Sequence, residues 1–153
     1  MLITQGNLAS TYHFLGRNDD VLRMRRDVYS GWLKIKGDEH PETLREALCY
    51  ASALTHLNRH DEAKSLLRKT IPAARPVLGE EHVHTLTMRK IYAVVLANDG
   101  CATLDDIREA VTTLEEVERI ARRVFGGAHP LTADIERALR AARELRETPS
   151  DSS

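Results

Sequence analysis

An all-α fold of repeated antiparallel helix pairs, about seven helices in all, is predicted by three observations on the sequence. The first is self-similarity: KIKGDEHPETL at Lys34–Leu44 returns as PVLGEEHVHTL at Pro76–Leu86 and, more loosely, as RVFGGAHPLTA at Arg123–Ala133. The second is an apolar pattern stepping by three and four in both halves of each unit, the mark of amphipathic helices. The third is composition: aromatics are only 5%, against 42% hydrophobic residues rich in Ala and Leu, which favours helices over a sheet of Val, Thr and Tyr.

The period is 42 residues, from Gly37 to Gly79 and from His40 to His82. The same offset carries Leu15, Arg17 and Asp19 onto Leu57, Arg59 and Asp61. It also carries Leu8, Ala9 and Tyr12 onto Tyr50, Ala51 and Leu54, and then onto Tyr92, Ala93 and Leu96. The third unit is longer, with 47 residues from Gly79 to Gly126, and its five extra residues fit the loop NDGCATLDD at Asn98–Asp106.

Each element follows in order. A helix over 2–15 carries the Leu8–Ala9–Tyr12 stripe, and one over 18–36 opens in register with Asp61 and stops at Gly37. Pro41 starts a helix over 41–57 with Leu44, Ala47, Leu48, Ala51, Leu54 and Leu57 on one face. The next, over 61–78, presents Ala63, Leu66, Leu67, Thr70, Ile71, Ala74 and Val77. Val83 replaces proline at the start of 83–98, so that start is expected to be less sharply set. After the insertion, Arg108–Ala110 resumes the register of Asp61–Ala63 in a helix over 104–125. Pro130 opens the last helix, over 130–147, and ETPSDSS closes the chain as a frayed, disordered tail at 148–153. The expected units are 1–39, 40–81 and 82–128, followed by a capping helix at 129–147.

The recurring phrase has a structural meaning. Gly37, Gly79 and Gly126 each follow an apolar run, where a left-handed residue ends a helix. His40, His82 and His129 then fall at helix starts one unit apart, which argues against a shared metal site, with or without His84. His56 and His60 flank a turn, where they are expected at the surface or on backbone groups.

Composition excludes several function classes. With 22 basic and 23 acidic residues, net charge is about −1, and no global field draws nucleic acid or an anionic membrane. Cys49 and Cys101 lack CxxC spacing, no apolar run reaches membrane-spanning length, and the start lacks a leader pattern, so a reducing, cytoplasmic setting is expected. No phosphate loop, HExxH or GxSxG is present, and neither a catalytic site nor a cofactor is expected. A Cys49–His56 dyad would span two helical turns, too far for proton transfer.

The pattern GDEHPETL, ALTHLNRHDEAKSLLRKTI and VLGEEHVHTL, with GNLASTYHFLGRNDDVL one unit upstream, resembles the tetratricopeptide repeats of kinesin light chains, whose unit is 42 residues. The resemblance runs from about Gln5 to Leu145. It implies a right-handed superhelical array in which small residues at Ala9, Ala51, Ala93, Ala63 and Ala110 let helices approach closely. Arg140 stands at the corresponding place in the last helix, as suits a cap.

The resemblance also implies a function: first helices line a concave surface that takes a partner peptide or protein. Position by position it points to Asn7, Ser10, Arg45, Cys49, Ser52, Thr87, Lys90, Ile91, Asp134 and Arg137, with Leu48 and Val94 beside them. In kinesin light chains an Asn before the Leu–Ala pair binds the peptide backbone; here only Asn7 keeps it, with Cys49 and Ile91 in the next two repeats. Small and apolar residues beside Arg45 and Lys90 would suit a mixed apolar and acidic peptide. A scaffold or self-assembling spacer, pairing copies through an open N-terminal end, is the alternative.

Overall fold

The computed structural model describes residues 18–148, which form helices and turns only. The helix expected over 2–15, the open N-terminal end and the tail beyond 148 lie outside the described residues. Six helices are described: α1 (Asn18–Lys36), α2 (Pro41–His56), α3 (His60–Leu78), α4 (Val83–Asn98), α5 (Leu104–Phe125) and α6 (Pro130–Glu147). No expected boundary among them is off by more than one residue.

The described residues divide into two compact units, one ending at Gly79 and the other beginning at Glu80. In the first, α2 packs against both α1 and α3; in the second, α5 packs against α4 and α6, which also touch each other. These are the antiparallel pairs that the repeat predicts. Ala51, Ala93, Ala63 and Ala110 are all fully buried, as close helix approach requires, whereas Arg140 is exposed. In the second unit Leu86, Leu96, Val111, Leu114, Val117, Ile135 and Leu139 form one apolar core. Each large side chain there contributes about 1.5–3 kcal/mol on burial.

The recurring phrase is a helix-to-helix junction. Gly37, Gly79 and Gly126 have φ of +82°, +102° and +88°. The positive φ was expected, but ψ is 154° at Gly79 and 162° at Gly126, so these two do not adopt the left-handed helical conformation. They sit in an extended region open essentially to glycine alone. Asn58, at the α2–α3 turn with φ of 59°, is by contrast in the range that Asn tolerates.

Each histidine is the cap of the helix that follows. Nδ1 accepts a hydrogen bond from the backbone N–H two residues on: Glu42 to His40 at 3.2 Å, His84 to His82 at 3.0 Å, and Leu131 to His129 at 3.1 Å. An acceptor Nδ1 carries no proton, so these rings hold theirs on Nε2. The helix begun by Val83 is capped no less closely than those begun by Pro41 and Pro130. The imidazole sets the start, and proline is dispensable to it.

The threonines of the phrase have a different role. Thr43, Thr85 and Thr132 are 1%, 0% and 0% exposed, and none of their hydroxyls has a hydrogen-bond partner. They act as β-branched wedges under the helix start, at a desolvation cost of about 1–3 kcal/mol each.

Candidate functional site

The residues to which the sequence points lie on α2 in the first unit and on α4 and α6 in the second. In the first unit Arg45 is already engaged. Its guanidinium lies 2.7 Å from the Glu42 carboxylate and 3.4 Å from that of Glu46, and the hydrogen bond to Glu42 raises its pKa further. A cation held by two carboxylates of its own helix is poorly placed to receive an acidic ligand.

Cys49 is half-buried beside it, and burial pushes the thiol pKa up, the opposite of what a nucleophile needs. Ser52 is half-buried, and its carbonyl accepts from His56 Nδ1 at 2.9 Å, which ties that ring to its own helix. His60 departs from expectation: its Nδ1 is buried without a hydrogen-bond partner.

The second unit brings several of the expected residues together. A cavity of about 410 Å³ lies between α4 and α6, floored by Leu114 of α5. Lys90, Asp134 and Arg137 line it with Val94, and its walls are small: Ala97, Ala138, Ala141 and Ala142, closed by Leu145 and Asn98. The sequence explains the hollow. Ala138 occupies the repeat position that Cys49 and Ile91 fill elsewhere, and Ala141 that of Ser52 and Val94.

Thr87 and Ile91 do not join this cavity. The Thr87 hydroxyl donates to the Val83 carbonyl at 2.6 Å, and Ile91 is only 8% exposed, turned into the helix packing. Asn7 and Ser10 lie outside the described residues. Asn98, Ala97, Ala142 and Leu145 were missed from sequence. The same three-and-four spacing, continued one turn past Val94 and Ala141, would have reached Asn98 and Leu145.

The cavity's electrostatics are simple. Arg137 is bonded to Asp134 at 3.1 Å on the same helix, a neutral pair, which leaves Lys90 as the net charge of the lining. Neutral amide and methyl groups supply the rest. Among the described residues no group of three or more His, Cys, Asp or Glu could hold a metal ion, and no helix is long and apolar enough to cross a membrane.

Comparison with known proteins agrees with this architecture. The tetratricopeptide repeat model matches residues 51–84, which span the end of α2, all of α3 and the start of α4. A comparison with curated proteins gives no match. Among solved structures, the nearly identical TPR-like repeats of a Podosopora anserina protein assigned as a kinesin light chain superpose with a TM-score of 0.74 at 24% identity. A single-substitution variant of that protein gives 0.77; each comparison covers 94% of this chain and 66% of the other, just under two thirds of its length. BtubC (BKLC) from P. vanneervenii gives a TM-score of 0.59 at 12% identity, covering 99% of this chain and 68% of that one. With one repeat matched directly over 51–84 and the helix pairs superposing on these arrays, the chain has a tetratricopeptide-repeat fold of the kinesin light chain-like kind.

Proposed function

We propose that the protein is a non-enzymatic recognition module that binds a partner peptide in the groove between α4 and α6. The observation that supports this reading is the convergence of Lys90, Val94, Asp134 and Arg137 on one cavity walled by alanines. A groove of about 410 Å³ is within the range that takes a ligand group, and its small walls leave room for an apolar side chain of the partner. Lys90 favours a carboxylate beside that side chain, and Asn98 offers both a donor and an acceptor to a peptide backbone. Arg45, held by Glu42 and Glu46, is left with a supporting role.

Peptide display against the purified chain tests this, repeated with Lys90→Glu and Ala141→Trp. Ala141 is exposed, so a large ring there fills the groove without entering the core. Selected peptides are expected to lose roughly tenfold in affinity or more with either substitution, about one charge-assisted contact, while the melting temperature stays unchanged. Peptides that bind both variants as they bind the wild type would favour the scaffold reading.

A further inference from the structure

The α1–α2 and α5–α6 pairs are the same repeat junction written twice, 89 residues apart, that is 42 plus 47. Most of the junction is apolar in both copies. Val21 and Leu22 correspond to Ala110 and Val111, and Val28 corresponds to Val117; all six are buried.

One layer differs. Leu114 and Ile135 face each other's helices in the core of the second copy, both 0% exposed. Arg25 and Glu46 hold those positions in the first, 3.7 Å apart, with side chains 15% and 4% exposed. At the corresponding positions of the intervening repeat stand Leu67 and Met88, each fully buried, so apolar residues are the usual occupants and the ionic pair the exception. Glu46 Oε2 accepts no hydrogen bond, although Oε1 lies 3.4 Å from the Arg45 guanidinium, so the buried carboxylate is incompletely satisfied. A buried ion pair of that quality is often no more stable than the hydrophobic pair it replaces, whereas removing one partner is strongly destabilising.

We infer that Arg25–Glu46 is a register key, which gives up stability so that α1 packs on α2 and on no other copy of the same junction. In a chain that uses the same kind of helix junction more than once the competing states are exchanged pairs, with α1 of one molecule on an Ile135-type face of another. An apolar α1 would accept that face. Arg25 fits it poorly, because there its charge would lie opposite isoleucine in place of the Glu46 carboxylate.

The test replaces the ionic layer by the residues of the other copy, Arg25→Leu with Glu46→Ile, beside Glu46→Ile alone. The double variant is expected to melt at or above the wild-type temperature and to spread over several species in light scattering coupled to size exclusion, where the wild type gives one. The single variant is expected to melt roughly 10 °C lower than the wild type. A double variant that melts below the wild type, or that elutes as the same single species, overturns the inference. So does a single variant that melts no lower than the double.

Discussion

Replacing Pro72 with Ala is expected to stabilise the first unit by about 2 kcal/mol, and adding Pro76→Ala by about 1 more, read from the midpoint of urea unfolding. Both prolines lie inside α3, a helix unbroken from His60 to Leu78. Each lacks the N–H that would return to the carbonyl four residues earlier, an interior defect of about 3 kcal/mol relative to Ala. Losing proline's restraint on the unfolded chain takes back about 0.4–1 kcal/mol. Both rings are exposed, so no packing is lost with them. The other repeats show what the positions tolerate: Ser30 and Lys34 in α1 and Arg119 and Arg123 in α5, all exposed polar residues. Pro76 has the smaller expected effect because it falls in the last turn, where bonds fray anyway.

Gly79→Ala and Gly126→Ala are expected to act in the opposite direction, each lowering stability by about 1–3 kcal/mol in the same measurement. A Cβ built at either glycine meets nothing within 4 Å, so the cost is backbone conformation rather than crowding. The extended ψ sharpens the expectation: Asn, which rescues a left-handed helical position, should rescue neither site. Gly100 is the internal control. It also has open space around it but no positive φ, and Gly100→Ala should be neutral or raise stability by up to about 1 kcal/mol.

Helix boundaries were legible because the repeat supplies each one several times over. Glycine stops, proline starts and the apolar stripe agree at the Gly37–Pro41 and Gly126–Pro130 junctions, and where Val83 breaks the pattern His82 still fixes the start at the expected residue. The function of that histidine was less legible. Its place at a helix start could be read, but not that the ring nitrogen is itself the cap, since histidine is not among the residues usually preferred there. Helix periodicity also ran through Pro72 and Pro76, because a solvent-side proline leaves the buried stripe of α3 untouched.

The groove was legible as a face but not as a cavity. Which side of α4 and α6 is turned out follows from the repeat, hence Lys90, Asp134 and Arg137. Ile91 is 8% exposed and does not line the cavity, because one residue's rotation around the helix separates the lining from the core. Arg45 illustrates the other limit. Its nearest partner is Glu42, at 2.7 Å on the same helix, and the second carboxylate, Glu46 at 3.4 Å, is itself drawn to 3.7 Å from Arg25 on a different helix, a tertiary contact with no local signature.

That the thrice-written phrase is architecture, with histidine as cap rather than ligand, is tested most directly by long-range 1H–15N correlation of the histidine rings, with and without added zinc. The rings of His40, His82 and His129 should each show a protonated Nε2 and an unprotonated Nδ1 accepting a hydrogen bond, unchanged by the metal. A proton on Nδ1, or signals from these rings shifting together at one equivalent of zinc, would contradict the account.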